Sequence, residues 1–349
     1  MPRANLPPPR LVAWETTRAC DLACRHCRAE ARPGPAPGEL DAKEGAELLR
    51  QISLWDPPPM VILSGGEPLK RPDILELASL GTSLGLRMLL STNGTALDPS
   101  LVRALKKAGI KRLSLSLDGH DAASHDAFRG VRGAFASLKR SARLLVEGDL
   151  PFQINSTVTA GNLKDLVAIQ DLAFSLGAVA HHIFLLVPVG RAKDWDEAPL
   201  EPQDYENALL LLKDREISLQ LEIKATCAPQ YQRISREKGQ VSARSGRGCL
   251  GGQGFLFISH DGIAQACGYL PLPAGNVRAE PLREIYQNSP LFGDLRDRAR
   301  YRGKCGLCEY FKVCGGCRAR AHAQGDCLGP EPLCPHLPQA LRRSPDVAP

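Results

Sequence analysis

A chain of 349 residues is long enough for one large domain and a smaller one. Its 43% hydrophobic and 23% charged residues are those of an ordinary globular protein, and no apolar run reaches membrane-spanning length. The net charge of +6 comes from scattered basic residues. That argues against nucleic-acid binding and favours an anionic small molecule as partner.

Residues 1–10, MPRANLPPPR, read as a proline-rich tail without the apolar core of an export signal. LVAWETT at 11–17 reads as a strand, and it leads directly into CDLACRHC. That spacing puts Cys20, Cys24 and Cys27 in one short loop. Three thiolates so placed can hold three irons of a 4Fe–4S cube and leave the fourth iron open. Zinc loops more often pair their cysteines as CxxC, and no second pair follows here before Cys305.

Strand-like runs then alternate with amphipathic helical ones. MVILSG, LRMLLST, KRLSLSL, PFQINSTVT and HHIFLLV are the further strands, with helices in DAKEGAELLRQISL, PSLVRALKKAG and NLKDLVAIQDLAFSLG. Six strands, each followed by a helix, predict parallel βα units closing into a partial (β/α)6 barrel over 11–226. Ligands belong at the carboxyl ends of such strands. After the helix around PQDYENALLLLKDR, ISLQLEIK reads as an edge strand, and 230–247 as a loop or short helix.

From residue 227 the texture changes. FLFISHDGIAQACGYL reads as a hairpin turning at His260-Asp261-Gly262, and PLREIYQNSPLFGDLR as one or two short helices. Nine of the twelve cysteines lie after residue 226. Without an export signal they point to metal ligation in a reducing cytoplasm rather than to disulfides. The pairs Cys305/Cys308 and Cys314/Cys317 by themselves also suit a four-cysteine zinc ribbon. The expected architecture is therefore α/β, with a small cysteine-rich α+β extension over 227–336 and a loose tail at 337–349.

CDLACRHC, with His26 before its last cysteine, resembles the signature of the radical S-adenosylmethionine (SAM) enzymes. So do three strand ends: SGGEP, STNG and SLDG. The resemblance implies a 4Fe–4S cluster on Cys20, Cys24 and Cys27 whose open iron chelates SAM and cleaves it to a 5′-deoxyadenosyl radical. It further implies SAM binding by Ser64, Gly65, Gly66, Glu67 and Pro68, by Ser91 and Asn93, and by Ser116 and Asp118. Arg129, in HDAFRG, joins them. A low-potential electron donor such as flavodoxin or ferredoxin is implied as well.

The later cysteines resemble the SPASM/twitch extension of that family, which carries auxiliary 4Fe–4S clusters. Residue by residue, the resemblance assigns Cys305, Cys308, Cys314 and Cys334 to one cluster and Cys249, Cys267 and Cys317 to another. Cys227 in KATCAP is the candidate fourth ligand, and Cys327 could compete with Cys334. The group closes with CGGC where the family commonly has CxxxC.

The segments FQINSTVT, HIFLLVPVGRAKD, CLGG-x-GF-x-FISH and CEYFKVCGGCRARA resemble the haem-biosynthesis branch. There the substrate is iron-coproporphyrin III, two of whose propionates become vinyls, while relatives act on didecarboxysirohaem or haem d1 precursors. Arg18, Arg25, Arg28, Arg191 and Lys224, near strand ends, are candidate carboxylate partners or else solvated charges. His181 or His182 could approach the substrate iron or its carboxylates, or be a satisfied strand histidine. A peptide-modifying maturase is the rival within the family, but it usually carries an N-terminal winged-helix module. A non-enzymatic iron–sulfur carrier would leave the SAM-type strand ends unexplained.

Overall fold

A computed structural model of the chain describes residues 6–195, 199–218, 221–240 and 248–342. Seven parallel strands follow one another across a single sheet: β1 (Leu11–Thr17), β2 (Met60–Gly65), β3 (Arg87–Ser91), β4 (Leu113–Ser116), β5 (Phe152–Val158), β6 (Ala180–Leu185) and β7 (Glu222–Thr226). Helices bridge them, as parallel pairing requires. Aspartates start three of these helices: Asp41, Asp98 and Asp121 each accept a backbone N–H three residues on. No helix among the described residues is long and apolar enough to cross a membrane.

The period of two along a strand divides the sheet into unlike faces. On the outer face Val61, Leu63, Met88, Leu90, Leu113 and Leu115 are fully buried. They share one core with Leu48, Leu49, Ile52, Leu77, Leu105, Leu138 and Leu145 of the helices. Each such side chain contributes about 1.5–3 kcal/mol by leaving water. The inner face mixes polar residues with a few apolar ones, among them Ile62, Leu89, Phe184 and Phe257. Register aligns Glu15 with Ser64, Ser91 with Ser114, and Ser116 with Asn155, His182 and Lys224 in turn. A curved parallel sheet with an apolar outside and a partly polar, half-buried inside is a barrel wall around a lumen fit for a polar ligand.

The bounds of the edge strand need correction. The sheet has seven parallel strands before the extension, and the last is Glu222–Thr226 rather than 217–224. The helix Pro202–Ser218 runs through the start of ISLQLEIK, and residues 219–220 lie outside the described set. Of the two readings of 230–247, the short helix holds for Gln230–Glu237, and 241–247 lie outside the described residues.

The extension does not stand apart from the barrel. Its strand β8 (Phe255–Ile258) pairs in parallel with the free edge of β1, from Leu11↔Phe255 to Trp14↔Ile258. β9 (Ile263–Gln265) and β10 (Gly275–Asn276) continue the sheet antiparallel. The hairpin turns at the predicted place, with Gly262 at φ +86°. The helices Leu282–Asn288 and Pro290–Arg296 then bury Ile285, Tyr286, Phe292 and Leu295 in the same core. A chain ended at residue 247 would therefore leave the β1 ladder edge and Val12 and Trp14 uncovered. Size-exclusion chromatography should show aggregate, and a soluble monomeric fragment would contradict this integration.

Candidate active site

The three N-terminal cysteines lie in a loop between Thr17 and Arg32 that is closed on itself by Cys20 N–H to Arg32 O and Arg32 N–H to Arg18 O. Each sulfur faces a donor. Cys20 Sγ accepts from Leu22 N at 3.4 Å and from Asn93 Nδ2 at 3.7 Å. Cys24 Sγ accepts from Arg129 Nη1 at 3.6 Å, and Cys27 Sγ from Ala31 N at 3.4 Å. Such donors stabilise thiolates. Burial pushes the Cys20 thiol up to about 11, so its deprotonation in place calls for a metal cation.

The strand-end motifs clasp this loop. Gly66 N–H donates to Thr17 O and Glu67 N–H to Ala19 O. A Cβ on Gly65 would lie 2.3 Å from Thr17 O, and one on Gly66 2.5 Å from Ala19 O, so the pair of glycines is required by close approach. Ser64, Ser91 and Ser116 line the inner wall and are half-buried, whereas Pro68 begins a short 3-10 turn behind it.

Glu67 is wholly buried, and its carboxylate accepts from Leu69 N, Thr92 Oγ1 and Asn93 N. Burial pushes it up to about 7 against those donors. Asp118 pairs with Arg129 and accepts Thr157 N–H at 2.6 Å. Asp118 and the Cys24 thiol hold Arg129 charged despite its burial. The side chains of Glu67, Asp118 and Arg129 thus enter the site as struts of the loop, not as free ligand-binding groups. Asn93 reaches both Cys20 and Asp21.

Of the candidate cations, three are spent on the protein. Arg191 donates to Cys24 O and Ala31 O, and Gly190 before it leaves no room for a Cβ against Cys27 O and Arg28 O. Arg25 stacks on Trp195 at 4.2 Å, and Arg18 pairs with Glu15. Arg28 also meets Glu15, at 2.8 Å, and lies over the Phe257 ring. Lys224 stands on the lumen face of β7, level with His182, where burial lowers its pKa. The adjacent histidines face opposite ways. His181 is fully buried behind the sheet, 2.7 Å from Ser156 Oγ, whereas His182 stands on the lumen face 3.0 Å from Gln153 Nε2.

The later cysteines sort into two groups of four. Cys227 has Cys249, Cys267 and Cys317 as electrostatic neighbours, and burial pushes Cys267 up to about 12 and Cys317 to about 11. Cys305, Cys308, Cys314 and Cys334 line one cavity, with Arg233 and Glu331. Cys327 lines neither. Among the described residues, the one set of three ligand atoms within 4.8 Å of one another is Cys308, Glu309 and His336. Two groups of four thiols each supply the ligand count of a four-cysteine metal site, iron–sulfur or zinc.

Three residues that pattern reading passed over organise the site. Glu15, on the lumen face of β1, binds Arg18, Arg28 and His260. Burial pushes it up, but Arg28, His260 and Arg18 outweigh that and hold it at about 2. Arg320 is fully enclosed and bonds Glu331, Tyr205 and the carbonyls of Leu185, Leu186 and Cys227. Glu331 in turn accepts Cys317 N–H, and its own N–H donates to Cys305 Sγ, so this pair ties both cysteine groups to the ends of β6 and β7. A glutamate inside an apolar strand run was the one available signal for Glu15; Arg320 had none.

The Radical SAM superfamily model matches residues 14–173, and the SPASM iron–sulfur cluster-binding domain matches 249–318. An AdoMet-dependent heme synthase of Methanosarcina barkeri is 46% identical over 95% of this chain and 97% of its own. Another, from Nitratidesulfovibrio vulgaris, is 46% identical over 95% of this chain and 94% of its own. Among solved structures, SuiB of Streptococcus suis bound to S-adenosylmethionine superposes with a TM-score of 0.73. It covers 94% of this chain and 78% of that one at 19% identity, a likeness of fold.

Glu67→Ala would leave three donors, those of Leu69, Thr92 and Asn93, without their acceptor beneath the cysteine loop. The expected loss is about 2–5 kcal/mol in denaturant unfolding. A loss under about 0.5 kcal/mol would show that the clasp does not depend on this carboxylate.

Proposed function

This chain belongs to the radical SAM family and carries its SPASM extension, and from that premise we propose that it converts two propionates of iron-coproporphyrin III to vinyls, forming haem b. The near full-length identity to relatives named heme synthases carries the reading. A partly polar lumen beside a thiol triad, with a second cysteine group at its mouth, supports it.

Cys20, Cys24 and Cys27 would hold three irons of a 4Fe–4S cluster, their sulfurs steadied by Leu22, Asn93, Arg129 and Ala31. When loaded, that group supplies the electron that releases a 5′-deoxyadenosyl radical from SAM. The N–H groups of Gly66 and Glu67 are spent on the loop, so the turn offers carbonyl oxygens to the SAM amino group. Ser64, Ser91, Asn93 and Ser116 face the space where SAM would lie.

The substrate chemistry then sets what else the protein must provide. One hydrogen atom leaves the propionate carbon β to the carboxylate, the bond to the carboxylate carbon breaks, and CO2 departs. The alkene forms and one electron is left over. Cys227, Cys249, Cys267 and Cys317 would hold an acceptor near that point. Cys305, Cys308, Cys314 and Cys334 would hold a second auxiliary cluster further from the lumen mouth.

Replacing Cys20, Cys24 and Cys27 by Ala should remove about four irons per chain and abolish deoxyadenosine formation with SAM and dithionite. Deoxyadenosine made by the triple variant would refute the assignment. Anaerobically reconstituted protein should hold about twelve irons with all three sites filled; about four irons with stoichiometric zinc would mean a zinc ribbon instead.

The decisive assay is anaerobic turnover of iron-coproporphyrin III, followed by mass spectrometry for loss of the elements of formic acid once or twice. Wild-type protein that cleaves SAM and spares this porphyrin, yet decarboxylates another tetrapyrrole or modifies a peptide, would overturn the substrate.

A further inference from the structure

Tyr269 was not singled out by any motif, yet it stands where the two halves of the site meet. Its backbone N–H donates to Cys267 Sγ at 3.4 Å, which fixes the residue beside the second cysteine group. Its phenol has Cys227, Arg28, Cys267 and Cys27 as electrostatic neighbours, so it lies between that group and the N-terminal loop. The ring is 6.4 Å from Phe184, which follows His182 on the lumen face of β6. Among the described residues the hydroxyl has no hydrogen-bond partner.

Arg28 reaches the same place from the cysteine loop. Its Nη1 is bonded to Glu15 and Gly268 O, while Nε and Nη2 make no bond among the described residues. The guanidinium sits 4.6 Å from the Phe257 ring centre. Gly268 permits this, since a Cβ there would lie 2.9 Å from Phe257 and 3.4 Å from Arg28 Cδ. Glu15 shares its charge among Arg28, Arg18 and His260, so Arg28 keeps attraction for a second anion. A phenol donor and an open guanidinium edge converge beside an aromatic wall of Phe184, Tyr269 and Phe257.

We propose that Tyr269 and Arg28 bind the carboxylate of the reacting propionate at the junction of the two cysteine groups, an inference that rests on the tetrapyrrole reading above. A carboxylate drawn out of water needs charged or strong donors, and these two provide them. The flat macrocycle would lie against the aromatic rings. Fixing the carboxylate there sets the carbon β to it toward the loop that would hold SAM, with the second cysteine group beside it.

The test titrates anaerobically reconstituted wild-type protein and Tyr269→Phe with iron-coproporphyrin III and with its tetramethyl ester, following the visible absorbance. Tyr269→Phe keeps the ring and should weaken the free acid about tenfold or more. The ester, whose carboxylates are masked, should bind both proteins alike. Arg28→Gln should weaken the free acid further; if it fails to load iron, Tyr269→Phe decides alone. Equal affinity of wild type and Tyr269→Phe for the free acid would overturn the proposal, as would an equal loss on acid and ester. If wild type ignores iron-coproporphyrin III but binds another carboxylated tetrapyrrole, the substrate reading falls and the same comparison is made on that ligand. Wild type that binds no porphyrin carboxylate at all overturns both.

Discussion

One buried carboxylate holds the site's parts in relation to each other. Glu15 projects from β1 into the lumen and is shared by Arg18 before Cys20, Arg28 after Cys27, and His260 at the hairpin of the extension. Both ends of the cysteine loop and the C-terminal extension are therefore anchored to a single group. Isolated, a carboxylate in that position would be costly to ionise; surrounded by two guanidiniums it stays charged well below neutral pH. Removing one partner of such a buried set is worse than never having had it, because the remaining charges keep their desolvation cost.

A second buried pair does the same for the extension. Arg320 and Glu331 join the end of β6, the carbonyl of Cys227 and the backbone at Cys317 and Cys305. Cys227 itself sits at φ +55°, a conformation that only surrounding bonds sustain in a non-glycine residue. The cysteine groups are thus built by long-range ties, with members from the end of β7, β8's flank, the hairpin and the C-terminal loops. A ribbon on the two CxxC pairs would join Cys317 to Cys305, Cys308 and Cys314, whereas Cys317 neighbours Cys227 and Cys249.

Much of this was legible locally. LVAWETT and MVILSG are strands to the residue, since short apolar runs between turn residues rarely form anything else in a βα alternation. The hairpin at Gly262 and the cysteine spacing were equally plain. What could not be read was anything that depends on where distant segments pack. ISLQLEIK alternates like a strand, yet its start is claimed by the preceding helix. Glu67 and Asp118 lie in motifs that mark a ligand site, but only the fold shows their carboxylates turned inward onto Thr92 and Arg129. His181 and His182 differ by one position, hence by one face of the sheet, and register alone separates them. No local pattern could announce that β8 returns to the edge of β1.

That return governs assembly. The outer neighbour of β1, Phe255–Ile258, is synthesised some 240 residues after it, about ten seconds to a minute at ordinary ribosomal speeds. His260, which completes the set around Glu15, emerges later still. Until then the loop bearing Cys20, Cys24 and Cys27 is tethered to a strand with one side open. Through that interval the edge of β1 is open to pairing with another strand, and Glu15 lacks the His260 that completes its set.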